Sequence, residues 1–412
     1  MRRAACCIAL TFLAACDNAD QSPTGTQQVV EVANTQPAPP PPTPAVEFTQ
    51  DELRTILRMS PVPDPPPDPT NKYADDERAA ALGHYLYFDT RLSANDTVSC
   101  ATCHDPKFGL ADQTPLAAGL GLGPRHSIAL FNTAHHPWFN WDGRADTLWS
   151  QATRPLTKDV EMGATPEHIA QVIADNYRDT YQAIFGPLDR TDPVRVMVNA
   201  AKSIAAYERK FVFADAPLDR FVLALRNDPA GDINALSPDA QRGLKLFIGR
   251  ANCVACHAGP TFSDGAFHSA RIAPGDGPDN DAGRFAAVDQ LKADPFSARS
   301  EYSDAPEGPT AQRLEYLTRT SADFGRFKTP TLRNVAQSAP YMHQGQKKTL
   351  RDVIAHYSTF DGALPPAHNA LDGQEMLLRP LHLNDSEAEQ LLAFLESLTS
   401  PPRFPQWMSP PE

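Results

Sequence analysis

The sequence predicts a mainly α-helical body made of two similar domains with long loops. Three observations carry that expectation. Apolar residues recur at helical spacing over Pro166 to Tyr177, Val194 to Phe213 and Ser386 to Leu398, the last opened by a Ser386-x-x-Glu389 pattern of the capping-box kind. Alternating β-branched stretches are scarce. Two Cys-x-x-Cys-His motifs, Cys100 to His104 and Cys253 to His257, sit in matching settings: Gly83-His84-Tyr85-Leu86-Tyr87-Phe88 precedes the first and Gly243-Leu244-Lys245-Leu246-Phe247 the second. In each, a helix with one apolar side leads into the motif, which points to an internal duplication.

The chain has 412 residues, 41% of them hydrophobic, enough to bury two cores of ordinary size. Its 40 prolines crowd into residues 37 to 69 and the extreme C-terminus, which read as tether and loop. A net charge of -13 argues against nucleic acid, whose phosphates select clustered Lys and Arg. An acidic surface suits a basic redox partner, but it equally describes any solvated exported protein.

Met1-Arg2-Arg3 is a basic start, and Ala4 to Leu13 is an apolar run too short to span a bilayer. The run ends in Leu13-Ala14-Ala15-Cys16, which resembles a bacterial lipobox. The expected organisation is a signal peptide over 1–16, a lipidated Cys16, and a polar, then Pro-rich linker over 17–46 that holds the body off a membrane. Asp17 resembles an inner-membrane retention signal, so the expected location is the periplasmic side, with the membrane reached by the lipid anchor only. An ordinary signal peptide with an incidental cysteine would leave a soluble protein.

Of the seven cysteines, Cys6, Cys7 and Cys16 fall in this leader and the other four form the two motifs, leaving none for a disulfide framework. Two thiols three residues apart on one helical turn can each form a thioether with a haem vinyl group, and the following histidine then faces the iron. Four cysteines in two pairs also suit one structural zinc ion. The histidine after each pair, export, and the lack of a short zinc-ribbon context favour two covalent haem c groups, with His104 and His257 as iron ligands.

Further phrases extend the pattern: Leu92-Ser93 running into Cys100-Ala101-Thr102-Cys103-His104-Asp105, Trp141-Asp142-Gly143-Arg144, Gln151-Ala152, Glu161-Met162, Phe327 through Val335, and Pro340-Tyr341-Met342-His343. In this order, over about residues 50 to 402, the chain resembles the dihaem cytochrome c peroxidase and MauG superfamily. The resemblance implies two cytochrome c-like domains, here 47–230 around a peroxidatic haem and 231–412 around an electron-transfer haem. It also implies roles for Trp141, which matches the tryptophan between the haems, Gln151, a distal-pocket amide, and Glu161, the distal carboxylate. Those residue types fit: a desolvated carboxylate can move a proton between the oxygens of bound peroxide, and an amide can donate to a bound oxygen. Taken alone, Trp141 reads as a core aromatic and Glu161 as a surface carboxylate before a turn.

Many of the peroxidases carry a histidine that blocks the peroxidatic iron, in the loop that here reads Ala117-Ala118-Gly119-Leu120-Gly121. Its absence predicts a haem held by His104 alone, unless a mobile loop brings His126 inward. His135 and His136 match other family positions. Family members often bind calcium through an asparagine and nearby carbonyls. His126 stands in the asparagine's place, which counts against calcium, although Ser338 and Pro340 still offer oxygens.

Thr349-Leu350-Arg351-Asp352 reads as a capping box opening a short helix that ends near Tyr357. Tyr357 falls where family members place either a methionine or, in MauG-like proteins, a ligating tyrosine, so it is the expected sixth ligand of the second haem. Met342, His343 and His356 are the competitors, and His356 points about 100° away from Tyr357 on one helix. A packed aromatic at the helix end is the other reading of Tyr357. The stretch Thr261 to Ser321, rich in Asp, Gly and Pro, is expected to be an extended loop, with His268 exposed or touching a haem propionate.

The function expected from the resemblance is reduction of hydrogen peroxide with electrons from a protein or small redox partner: a cytochrome c, a cupredoxin, or an oxidisable maturation target. The alternatives are an ordinary cytochrome c peroxidase and a non-catalytic dihaem electron-transfer cytochrome.

Overall fold

The structure is a computed structural model that describes residues 43–365 and 378–412. The expected signal peptide, Cys16, Asp17 and the linker as far as residue 42 lie outside the described residues. Helix α1 (Gln50–Ile56) starts at Thr49, whose hydroxyl accepts from the Glu52 amide while the Glu52 carboxylate accepts from the Thr49 amide. α2 (Glu77–Phe88) leads to the first Cys-x-x-Cys-His motif, whose cysteines form one turn, α3 (Cys100–Cys103). α4 (Leu148–Thr157), α5 (Pro166–Asn176), α6 (Arg178–Phe185) and α7 (Pro193–Glu208) follow. α8 (Pro217–Leu225) and α9 (Pro238–Ile248) lead to the second motif. Beyond it come β1 (Phe267–His268), α10 (Arg284–Lys292), α11 (Pro309–Arg313), β2 (Phe327–Lys328), α12 (Leu350–Thr359) and α13 (Asp385–Glu396). The two short strands pair antiparallel, Phe267 with Lys328 and His268 with Phe327. The fold is mainly α, as the sequence predicts.

The helix before each motif crosses a later helix, α7 or α13, at a glycine. A Cβ on Gly83 of α2 would lie 1.9 Å from the Ser203 carbonyl oxygen of α7, and one on Gly243 of α9 would lie 1.9 Å from that of Gln390 of α13. Only hydrogen fits at either crossing, so both pairs of helices pack backbone to backbone. A second device is also repeated. Asn132 and Asn334 both adopt left-handed backbone (φ 54° and 56°), which asparagine tolerates better than most residues. The Asn132 amide donates to the Phe213 carbonyl at 3.0 Å, and that of Asn334 donates to the Ser400 carbonyl at 2.7 Å. Each clamps the chain that leaves the crossing helix, α7 or α13.

Two hydrophobic clusters result. One runs from Ala79 to Phe213 and includes Leu86, Trp149 and Tyr207. The other gathers Leu244, Phe247, Phe262, Ile354 and Phe394, together with Ile56 and Met59 from the start of the body. Arg333, fully buried, fastens the second: it donates to Asp219 at 2.6 and 3.0 Å, to the Met59 carbonyl at 2.8 Å and to the Pro260 carbonyl at 2.8 Å. Among the described residues no helix is long and apolar enough to cross a membrane.

Three local expectations need correction. The helical pattern over Val194 to Phe213 stops at Glu208, because Phe211 and Phe213 give their backbone groups to Asn132 instead of continuing the helix. The last helix is capped by Asn384 with Glu387, not by Ser386 with Glu389. The stretch Thr261 to Ser321 contains α10, which buries Ala287, Val288 and Leu291; its Asp-, Gly- and Pro-rich flanks hide a helix that starts where Gly283 takes a positive φ.

Candidate active site

The first motif borders a cavity of about 140 Å³ lined by Cys100, Cys103, His104, Trp141, Gln151 and Glu161. α3 places the two thiols on one turn, with the His104 amide closing onto the Cys100 carbonyl at 3.0 Å. His104 Nδ1 lies 3.1 Å from the Leu110 carbonyl, which fixes the proton on Nδ1 and leaves the Nε2 lone pair for a metal. Burial lowers the histidine's pKa and keeps it neutral, as a ligand must be. The Tyr87 hydroxyl donates to the His104 carbonyl at 2.6 Å and braces the turn.

The second motif repeats this beside a larger cavity of about 320 Å³, lined by Cys253, Cys256, His257, Met342, His343 and Tyr357. His257 Nδ1 lies 2.9 Å from the Phe262 carbonyl, and burial lowers its pKa too. Burial pushes the Cys103 thiol up to about 11 and the Cys253 thiol up to about 12, as suits thiols awaiting thioether formation rather than thiolates. The rival zinc site fails on geometry. Among the described residues, the one group of metal-ligating side chains joins Cys256 with Asp264 and His268, and the two cysteine pairs line separate cavities. Two thiols, a neutral imidazole with its outer nitrogen free, and an adjacent cavity fit a covalent haem at each motif.

Trp141 lines both cavities. Its indole N–H donates to the His126 carbonyl at 2.8 Å, and its own carbonyl accepts from the Lys328 amide at 2.7 Å. Gln151 and Pro155, one turn apart on α4, both face the smaller cavity. Glu161 lies on the same wall, where burial raises its carboxyl pKa against the opposing pull of Arg144, Lys158 and Arg154. The histidine-free loop is tied to this carboxylate's backbone: Leu120 N–H donates to the Glu161 carbonyl at 2.9 Å and Gly121 N–H to that of Val160 at 3.0 Å. A Cβ on Gly119 would meet the Glu161 carbonyl oxygen at 2.5 Å, so this close approach requires glycine.

His126 is buried with Nδ1 at 2.8 Å from the Thr114 carbonyl and 3.3 Å from Asp112. Calcium takes oxygen ligands. An imidazole already committed to Thr114 and Asp112 does not fit that ion. His135 leaves Nε2 buried without a partner, and His136 lines both cavities with burial lowering its pKa.

At the second cavity, Tyr357, Met342 and His343 all reach the wall, while His356 turns away and places Nε2 2.9 Å from the Ala270 carbonyl. Burial pushes the Tyr357 hydroxyl up, with the Cys253 and Cys256 thiols adding to the effect. His343 stacks on Phe327 with ring centroids 3.8 Å apart, and burial holds it down at about 4. His268 is not exposed: it lines the cavity and pairs with Asp264 at 2.8 Å. Hydrogen bonds to Asp264 and Cys256 hold it up at about 10. Residue patterns alone did not single out three cavity-wall groups: Pro155, Glu208 and Lys328. The first shows a signal only when the two halves are aligned, and the others are ordinary charges until their burial is known.

Comparison with known proteins agrees with this geometry. A family model described as di-haem cytochrome c peroxidase matches residues 77–227. The methylamine utilization protein MauG of Methylorubrum extorquens is 31% identical over 87% of this chain and 89% of its own length. The cytochrome c551 peroxidase of Pseudomonas aeruginosa is 32% identical over 78% of this chain and 79% of its own. Among solved structures, a MauG-like protein associated with microbial copper homeostasis matches with a TM-score of 0.63 at 26% identity, over 85% of this chain and 95% of its own. The diheme peroxidase BthA of Burkholderia thailandensis matches with a TM-score of 0.63 at 25% identity, over 83% of this chain and 91% of its own.

Proposed function

The chain belongs to the dihaem cytochrome c peroxidase and MauG family and is a haem peroxidase; from that premise we propose that it reduces hydrogen peroxide beside His104 and exchanges electrons with a partner through the His257 site, with Tyr357 as the sixth ligand there. Hydrogen peroxide takes up two electrons and two protons and leaves as two waters; two one-electron equivalents come from the partner. The bound haems supply a coordination site for peroxide and the redox capacity to split its O–O bond.

The chain's own groups do the rest. Glu161, whose carboxyl pKa is raised by burial, would take a proton from the near peroxide oxygen and return it to the far one, a role worth about two to four orders of magnitude in rate. The Gln151 amide, on the wall of the same cavity, would donate a hydrogen bond to a peroxide oxygen held there. The Trp141 indole, in contact with both cavities, is the oxidisable group between the sites. The Tyr357 hydroxyl lies at the second cavity, where a bound cation reverses the effect of burial and favours the phenolate. A phenolate ligand favours the oxidised metal, which suits storage of an oxidising equivalent more than uptake of electrons from an ordinary cytochrome c. The partner class is thus a cupredoxin, a cytochrome c or an oxidisable protein side chain. Lipidation at Cys16 would hold the enzyme on the periplasmic face of the inner membrane.

One observation carries the division of labour between the cavities. Pro155 occupies on α4 the place that Tyr357 occupies on α12, each the eighth residue of its helix, so one cavity has a potential ligand where the other has none. Low-temperature electron paramagnetic resonance of the diferric holoprotein, before and after one equivalent of peroxide, tests the reading. One high-spin and one low-spin signal, both lost on addition, is the expected result. Two low-spin signals indifferent to peroxide would make the protein an electron carrier and remove the roles given to Glu161, Gln151 and Trp141.

A further inference from the structure

Lys328 is 2% exposed, and its ammonium nitrogen has no hydrogen-bond partner. The side chain lines both cavities. Its backbone is held in place, since its N–H donates to the Trp141 carbonyl at 2.7 Å and β2 pairs it with Phe267. A buried ammonium without an anion costs several kcal/mol, so a site that keeps one is incomplete as it stands.

Among the described residues no anion hydrogen-bonds this ammonium. Asp264 favours its charged form from a distance but spends its carboxylate on His268 at 2.8 Å. The other cations on the walls are already committed. Arg125 binds Asp142 and Asp281, Arg144 binds Asp142, and the Arg271 guanidinium rests on the Phe360 ring and donates to the Leu364 carbonyl. Burial, opposed in part by Asp264, brings the Lys328 amine down to about 8, and a neighbouring carboxylate would restore its ordinary basicity.

We propose that Lys328 is a cofactor-binding residue shared by the two haem sites, whose buried ammonium pairs with haem propionate carboxylates at the wall common to both cavities. A haem brings its own carboxylates, and among the described residues Lys328 is a buried cation without a hydrogen-bond partner that lines both places where a haem fits. The pairing has a consequence for electron transfer. One fixed positive charge stabilises the reduced form of both haems, and because β2 also holds the Trp141 backbone, the charge and the intervening indole are positioned together. The inference rests on both motifs carrying haem, but not on which haem meets peroxide.

The test is a redox titration, followed by visible spectroscopy, of the dihaem holoprotein carrying Lys328→Met, Lys328→Gln or Lys328→Arg. Both midpoint potentials are expected to shift downward in the Met and Gln variants and to return toward the native values in the Arg variant. Resonance Raman propionate bending modes are expected to shift in Met and Gln alone. If Met and Gln fail to take up haem while Arg takes up both, the charge is needed for binding, which also supports the pairing. A shift of one potential only would overturn the sharing, and unchanged potentials with unchanged propionate modes would overturn the contact. Shifts of both potentials in the Met and Gln variants, in a protein whose native form does not react with peroxide, would count against the proposed function and leave the Lys328 pairing intact.

Discussion

Asn132 to Pro155 and Asn334 to Tyr357 are the same device built twice. Both begin with a left-handed asparagine that clamps the chain after the crossing helix, α7 or α13, pass a glycine with positive φ (Gly143 at 69°, Gly345 at 64°), close a one-residue β-bridge (Phe139 to Ala145, Tyr341 to Lys347) and start a helix at a threonine cap. The frame is shared, and the chemistry is placed on it residue by residue. Where the first copy has Trp141 the second has His343, where the first has Gln151 the second has Val353, and where the first has Pro155 the second has Tyr357. At the two helix positions the first copy presents an amide and a proline to its cavity, and the second a valine and a phenol. The difference teaches that duplication conserves the backbone that carries a site while the side chains set which site is open.

The largest effect expected from breaking this comparison is at Glu161. Glu161→Gln keeps the shape and removes the shuttle, so turnover with peroxide should fall by about two to four orders of magnitude. The resting electron paramagnetic resonance spectrum should stay unchanged, since no ligand is altered. A loss of less than tenfold would mean that the proton moves by another route. Next is Tyr357→Phe, which removes the phenol from the second cavity and leaves at that helix position no ligating atom, as at Pro155 in the first. The low-spin ferric signal should give way to a second high-spin one. Its persistence would assign the ligand to Met342 or His343, both on the same wall.

How legible was this in the sequence? The Cys-x-x-Cys-His spacing is chemistry confined to five residues, so two candidate haem sites were readable without a fold, as was the Thr349 to Asp352 cap. The repeated frame was not, because its conserved elements are backbone conformations. Asn132 and Asn334, or Gly143 and Gly345, mean little until their dihedral angles are known. Lys328 sits inside a phrase that the sequence marks as distinctive, but only three-dimensional burial separates it from a surface lysine. The α10 helix was hidden for the opposite reason: its flanks carry loop composition, and the burial of Ala287, Val288 and Leu291 shows only in three dimensions.

A third difference between the halves is electrostatic. α7 and α13 both end in glutamate, but Glu208 is buried with one carboxylate oxygen unpartnered, whereas Glu396 is exposed. Burial pushes the Glu208 carboxyl up to about 8. The folded protein thus keeps a proton that the unfolded chain releases above its ordinary carboxylate range, and stability is lost as pH rises from about 4.5 toward about 8. Glu208→Gln should therefore raise the denaturation midpoint at pH 8, by a gain on the order of 3 kcal/mol, and should change it little at pH 5. Glu396→Gln is the control, expected to stay within about 0.5 kcal/mol at both. Equal responses of the two variants would show that burial does not distinguish the two carboxyls.

The smallest expected effect tests the shared frame itself. Thr147 and Thr349 cap α4 and α12 alike, their hydroxyls accepting from the amides of Ser150 at 3.0 Å and Asp352 at 3.1 Å. Replacing either by alanine should cost about 0.5–2 kcal/mol in chemical denaturation. The two values should differ, because the surroundings do. Thr147 is 4% exposed, so its loss leaves the Ser150 N–H without a partner away from water, whereas water can replace the hydroxyl at the exposed Thr349. The Thr147→Ala cost should lie near the upper end of that range and the Thr349→Ala cost near the lower. A reversed order would mean that the Asp352 carboxylate, which accepts from both the Thr349 amide and its hydroxyl, contributes more to the cap than burial does at Thr147.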